Sequence, residues 1–576
     1  MAMSLPAWAQ DDPAALAEVY LEQADQIYRQ QKEAIEIAKE LYVQAADLDP
    51  SNIRANWMAG QLYLETINKD QALPYLLRVK DLKPSYRFDL LYQIGRAYHY
   101  GFEFDSALFF YERYKKKVLS DRSYRGKDRV PPQTVNRRIE ECNNGKQIIN
   151  VPSKYSIEPI GEEINSPWPD YAPVLNKNGD VMIFTSRRQD GNTSPDVDKD
   201  NFYFEDVFIS RRQGDRWSVA ENIGPPINTR YHDANIAMSA DGTRLYLYKD
   251  TGMGDVYYSD FVDGKWTDPK FLTDKVNSST YSENSVSETA NPEVLFYTSS
   301  RPGGEGGIDI YYVVQDGKGN WYKSKSLGPV INTKGDEDSP FLAYDGKTLY
   351  FSSTGHKGYG GYDIFRSVYD SLSGEWSEPE NLGYPVNTPD DEISLHMSPD
   401  QRTGYYASVR EGGLGFSDIF MIKYHGDKKH RPKELIKAEE DEMMEHIIAE
   451  EQGEEEKEYE DYELKMMDHV HPIFFNADQS SIKEEHQAEL DSIIQLLDKY
   501  DVLSVDIAGY ASKDGNPRYN LELSNKRALI VLNYLVGKGL SEERIIAQGF
   551  GSIGEAGDDP EKYRRADVRI VTRKED

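Results

Sequence analysis

Residues 509–528 read "GYASKDGNPRYNLELSNKRA". A turn rich in glycine, asparagine and proline leads into a helix, and that helix carries Arg527 three residues after Ser524. Apolar residues continue on one helical face at Ala528, Val531, Leu532 and Leu535, and Gly539 stops the helix. On the N-terminal side, "VLSVDIAGYAS" (502–512) has the run of small and branched residues expected of a buried strand. Farther out, "VHPIFF" (470–475), "ERIIAQGFG" (543–551) and "ADVRIVT" (566–572) are further strands. Leu490, Ile493, Ile494 and Leu497 mark a second helix face between about 482 and 500. Strands alternating with helices predict a small α/β sandwich over residues 469–576.

The stretch 509–540, followed by "RIIAQGFG" (544–551) and "RRADVRI" (564–570), resembles the OmpA C-terminal domain. The shared pattern is a G-[HY]-[TA] turn, Y-N-x-x-L-S-x-x-R-A on the helix, then G-x-G and a basic last strand. The resemblance implies non-covalent binding of peptidoglycan through the diaminopimelate of its stem peptide. It assigns Arg527 to the ligand carboxylate, where a guanidinium grips two oxygens at once. It also brings Tyr510, Asn520 and Leu523 into the binding region, with Gly509 and Gly515 as turn glycines. Ser512 stands where the family has the aspartate that meets the ligand ammonium, and Asp514 is the candidate replacement. Asp567 and Val568 replace the family's Asn and first Arg, while Arg569 is retained.

The 576 residues exceed what one core accommodates. Hydrophobic residues are 38% and charged residues 29%, a globular balance. A net charge of −32 argues against nucleic acid and bare anionic lipid as partners. No apolar run reaches the roughly 18 residues of a membrane-spanning helix. The single cysteine, Cys142, excludes an internal disulfide and any cysteine cluster for a metal, and is expected to be packed in a core.

Residues 13–145 have a helical period with an internal repeat. Pro50 and Pro84 are 34 residues apart, and Gly60/Gly95, Tyr63/Tyr98 and Ala72/Ala107 are each 35 apart. Small residues at close helix crossings, aromatics filling gaps and a terminal proline resemble tetratricopeptide repeats, with about three units. Such stacks present a groove for a protein or peptide.

Residues 146–425 change to short alternating strands with Gly, Asn and Asp turns. Aspartates recur at 206, 255, 309, 363 and 418, spaced 49, 54, 54 and 55 residues apart. Tryptophans recur at 217, 266, 321 and 376, and turn asparagines at 165, 228, 277, 332 and 387. The units resemble PD40 (WD40-like) repeats, which implies an all-β propeller of five blades, with six as the alternative count. A strand near 148–157 is expected to complete the last blade. The aspartates are expected to bond turn amides. Asp196, Asp198 and Asp200 alternate in an acidic loop and form a weak candidate calcium site, although Asn201 and Val207 depart from the calcium-loop pattern. Acidic residues repeat in every unit and do not mark one catalytic pair, so no enzyme is expected and no cofactor is implied.

Residues 426–468 turn from basic to densely acidic and are expected to form a partly helical spacer. At the other end, "AWAQ" (7–10) has the form of the tail of a secretory signal. The order of helical repeats, propeller, spacer and OmpA-like domain resembles Bacteroidota OmpA-family proteins of the PorE type. Those proteins carry a further small β-domain where this chain has the acidic spacer. The resemblance implies a periplasmic scaffold tying an outer-membrane or type IX secretion complex to peptidoglycan, with a barrel of the PorP/SprF type as partner. The alternative is a wall-tethered sensor whose propeller binds a glycan or peptide.

Overall fold

The computed structural model describes residues 12–30, 34–214, 216–239, 241–249, 254–289, 294–316, 318–426, 470–477, 481–483, 486–499, 503–512, 517–552 and 560–572. The expected spacer and the signal-like start lie outside the described residues, except for residues 12 and 426 at their edges. The chain divides into two compact units, Met1–Ile448 and Ala449–Asp576.

The first unit begins with helices α1 (Pro13–Gln30), α2 (Ile35–Leu48), α3 (Ile53–Glu65), α4 (Leu73–Leu82), α5 (Leu90–Tyr100), α6 (Phe104–Ser120) and α7 (Pro132–Ile148). Consecutive helices pack on one another. Asn52 caps α3 by accepting from Ala55 N at 3.0 Å, which explains why the helix starts after the Asp-Pro-Ser-Asn turn. The 35-residue spacing places glycine where a neighbouring helix crosses closely. A Cβ on Gly60 would lie 2.7 Å from the Leu76 side chain, and one on Gly95 would lie 2.7 Å from the Tyr111 ring. Cys142 is buried in the last of these contacts.

After the helices come five antiparallel sheets. Their first strands are Asp170–Leu175, Asp233–Met238, Val286–Glu288, Glu337–Leu342 and Glu392–Met397. Each first strand contacts the first strands of its two neighbouring sheets, and the fifth contacts the first, so these strands form a closed ring. The strand Tyr155–Pro159 pairs with the third strand of the fifth sheet, Asp418–Tyr424, and joins the start of this region to its end. It begins later than the expected 148–157 because α7 continues to Ile148.

One side-chain interaction repeats around the ring. Asn228 accepts from Val207 N at 2.9 Å and donates to Val207 O at 2.8 Å. Asn277 does the same with Val256, Asn332 with Ile310, and Asn387 with Ile364. Asn165, ahead of the first sheet, pairs in this way with Ile419 in the fifth. In each case the primary amide stands in for a neighbouring strand and bonds both the N–H and the C=O of one buried residue.

The repeated aspartates bind the turn that precedes their strand. Asp418 accepts from Leu414 N at 2.7 Å and Gly415 N at 2.9 Å, and Asp309 accepts from Glu305 N and Gly306 N. The other oxygen of Asp206, Asp363 and Asp418 is buried with no hydrogen-bond partner. Burial accordingly pushes the Asp418 carboxyl up to about 6.

A second acidic series lies five or six residues after each asparagine: Asp170, Asp233, Glu283, Glu337 and Glu392. All are buried and accept from the backbone N–H of the Ser or Thr that follows the asparagine. Arg188, Arg301 and Arg410 reach three of them at 2.7, 3.0 and 3.2 Å, and Lys249 pairs with Asp233.

The helices dock on the fourth sheet. His99 Nε2 lies 2.9 Å from Tyr359 O, and Asn144 donates to Gly358 O at 2.9 Å. Lys69 forms an ion pair with Asp390, and Tyr359 is buried among Tyr92, Phe104 and Tyr111. Burial lowers His99 to about 3, so its ring sits there neutral.

Asn332→Ala removes both bonds to Ile310 and is expected to lower stability by about 3 kcal/mol, read from the urea midpoint at constant slope. Asp418 binds a proton more tightly folded than unfolded, so its contribution to stability is fullest below about pH 4 and declines as pH rises toward 6. Asp418→Asn is expected to flatten the fall in stability between pH 4 and pH 6, measured by denaturation at both values.

Candidate functional site

The second unit has a four-stranded sheet in the order Val470–Phe474, Arg565–Thr572, Leu503–Ala511, Ile545–Ser552. The first three strands are antiparallel, and the last lies parallel to 503–511. A parallel neighbour requires a crossover, and the helix Pro517–Gly537 supplies it. The helix Gln487–Lys499 packs beside it, with Leu490, Ile493 and Leu497 buried against Val505, Val531, Leu535 and Val568.

Two glycines bring the crossover helix onto the sheet. A Cβ on Gly509 would lie 2.1 Å from Ser524 O, and one on Gly549 would lie 2.3 Å from Asn525 N. At that distance Gly551 N donates to Ser524 Oγ at 2.9 Å and Gly549 N donates to Asn525 Oδ1 at 2.8 Å. The helix face carrying Asn520, Ser524 and Arg527 is therefore fixed against the C-terminal ends of two adjacent strands.

The structure brings most of the expected residues together there. Arg527 is fully buried; its Nη1 donates to Tyr510 O at 2.9 Å and its Nη2 to Asn476 O at 3.2 Å. Its guanidinium lies over the Phe475 ring, 5.3 Å from the centroid. Both carbonyls orient the guanidinium plane. Asn520 donates to Ser512 O at 3.0 Å and to Ser552 Oγ at 2.8 Å, tying the start of the turn to the end of strand 545–552. Leu523 is buried in the helix–sheet packing. Asp514 and Gly515 lie outside the described residues.

Asn476, Phe475 and Asn525 hold this arrangement and carried no recognised signal in the sequence. Phe550 is also new to the site: it is half exposed and stacks on Tyr510 with centroids 5.8 Å apart. The G-F-G spelling of 549–551 is the one local clue, since an aromatic between two glycines stands clear of its neighbours.

The three candidate calcium ligands do not converge. Arg187 takes both oxygens of Asp200, and Asp198 lies 3.5 Å from His232 Nε2. The calcium expectation is corrected accordingly: an arginine occupies the carboxylate that a cation would need. Among the described residues no group of three His, Cys, Asp or Glu side chains could hold a metal ion. No described helix is long and apolar enough to cross a membrane.

The OmpA family model matches residues 474–569. Outer membrane protein A of Escherichia coli O157:H7 is 37% identical over 81 residues, covering 14% of this chain and 23% of the relative. The peptidoglycan-associated lipoprotein of Rhizobium meliloti (strain 1021) is 38% identical over 79 residues, covering 14% of this chain and 45% of the relative. Among solved structures, the peptidoglycan-associated lipoprotein from Burkholderia pseudomallei aligns at 27% identity, covering 17% of this chain and 89% of that one, with a TM-score of 0.17. The chain spans less than half the length of these curated relatives, and the similarity is confined to its C-terminal domain, which is an OmpA-family domain.

Gly549→Ala places a methyl group against the Asn525 backbone and is expected to destabilise this domain by about 2 kcal/mol. Gly537→Ala, with nothing within 4 Å of the new Cβ, is expected to be neutral or to stabilise by up to about 1 kcal/mol. Thermal melts of the two variants check the contrast.

Proposed function

We propose that the chain is a non-enzymatic scaffold of the bacterial periplasm that holds peptidoglycan through its C-terminal domain. The observation that carries this reading is the placement of Arg527 beside the turn that opens at Ser512. It lies within a domain whose relatives include one named peptidoglycan-associated lipoprotein. Diaminopimelate presents a carboxylate and an ammonium on one carbon. Arg527 meets the carboxylate, with its side chain preset by the Tyr510 and Asn476 carbonyls, so little entropy is lost on binding. Asn520 holds Ser512 through its carbonyl oxygen. The Ser512 hydroxyl accepts from the ammonium without neutralising it, and Asp514 supplies the negative charge.

In the same reading the helices are tetratricopeptide repeats and the five sheets are the blades of a PD40-type propeller. These present broad surfaces to a protein partner, while the wall is held by one small polar clamp. The PorE-type resemblance extends the proposal to a type IX secretion complex at the outer membrane, with a PorP/SprF-type barrel as that partner.

The test is co-sedimentation of the full chain with purified sacculi. The native chain is expected to sediment. Arg527→Lys keeps the charge but loses the fork and is expected to weaken retention about tenfold. Ser512→Asp restores a charged acceptor and is expected to tighten it about tenfold. A native chain that stays in the supernatant refutes the wall-anchor reading.

A further inference from the structure

The five first strands enclose a cavity of about 310 Å³ at the centre of the ring. Its wall is shaped by backbone conformations that side chains resist. Ala172, Ser339 and Ser394 have φ of 52°, 53° and 59°. Each lies at a register shift in its own first strand, between Tyr171 and Val174, Asp338 and Phe341, and Ile393 and His396. A non-glycine residue in this region is strained, and such strain gathers at binding sites. Three of the five first strands carry it at equivalent places, all on the cavity wall.

The charge of the wall has one sign. Among the described residues Glu205, Glu288 and Asp338 line it, and no lysine or arginine does. Glu205 pairs with His232 and Arg187, and Glu288 accepts from Tyr246, which leaves Asp338 without an ionic partner among the described residues. Asp338 accepts from Ser285 Oγ at 2.6 Å, Ser339 N at 2.5 Å and Thr298 Oγ1 at 3.5 Å, all neutral donors. The residue is half-buried, and desolvation of its carboxyl raises its pKa. Buried carboxylates are ordinarily paired with a cation. His396 provides an independent sign of a missing ligand. It is nine-tenths buried on the cavity wall, and its Nε2 has no hydrogen-bond partner. Burial lowers its pKa to about 4, so the ring is neutral near pH 7 and adds no positive charge. Its ring packs 4.4 Å from Phe341 and 6.5 Å from Tyr344, centroid to centroid. Tyr171 and Tyr248 extend the aromatic lining.

We propose that this cavity binds a primary ammonium group carried on a slender, uncharged stem. Asp338 supplies the counter-charge, and the aromatic walls face the cation. Anions are excluded by the carboxylates and the absence of basic lining residues. A metal ion is disfavoured because the three carboxylates come from different sheets. A lysine side chain on a peptide and a free aliphatic diamine present the same chemistry, so the experiment must distinguish them.

The test is calorimetric titration of the full chain at pH 7.5 with Nα-acetyl-lysine methylamide, cadaverine and Nα-acetyl-norleucine methylamide. At least one amine is expected to bind, and the isosteric norleucine probe is expected to give no heat. Binding by the lysine probe alone indicates a peptide ligand, and binding by cadaverine indicates a free amine. Asp338→Asn is expected to weaken amine binding at least tenfold. Tyr344→Leu leaves the Asp338 hydrogen bonds in place and is expected to weaken it about fivefold; it serves as the second variant should Asp338→Asn melt early. The titration contains no peptidoglycan, which separates this site from wall binding. Silence from both amines, equal binding of the norleucine probe, or full affinity in folded Asp338→Asn overturns the proposal.

Discussion

The first unit depends on an amide side chain acting as a strand. The third strand in each sheet has a buried residue near its start whose N–H and C=O both bond the asparagine amide, and in four sheets that C=O also accepts from the outer neighbour. An unpaired N–H or C=O there would cost about 1–3 kcal/mol each. Asparagine has a donor and an acceptor at the spacing of a peptide and satisfies both at once. Because Asn165 performs this for the fifth sheet from the opposite end of the region, the interaction that completes each sheet also closes the ring.

Ring closure makes the buried carboxylates tolerable. Asp170, Glu283 and Glu392 sit where the Ser or Thr after the asparagine offers an N–H and where the arginine two residues beyond the second strand can reach. These contacts hold the first strands in register around the central cavity. The glycine-rich loop of the fourth sheet then approaches its neighbours so closely that a Cβ on Gly360 would lie 2.2 Å from Thr388 O. That closeness exposes the loop carbonyls to the helices, and His99 and Asn144 bind them. Helices and sheets in this unit therefore share one core.

The C-terminal domain solves a smaller problem with the same economy. Gly509 and Gly549 allow a helix to sit on two strand ends, and the side chains on that helix face complete the strands and support the turn. Arg527 can be fully buried because main-chain carbonyls receive it.

The sequence by itself determined the features that depend on local spacing. The run from Gly509 to Ala528, with its later G-x-G, identified an OmpA-family domain, because a helix laid on strand ends requires those glycines at those intervals. The recurrence of Asp and Asn was equally visible, as was the likelihood that such residues serve turns. Tertiary structure alone decided what each recurring residue bonds. Asn165 finds its partner 254 positions away, at Ile419, and His99 finds Tyr359 across 260 positions. The acids that follow each asparagine are buried because the ring encloses them. Asp200, placed among calcium candidates by spacing, proved to belong to Arg187. Periodicity reports which residues share a face of one element. Hydrogen-bond partners, burial and the sign of a cavity's charge depend on which elements chain closure brings together.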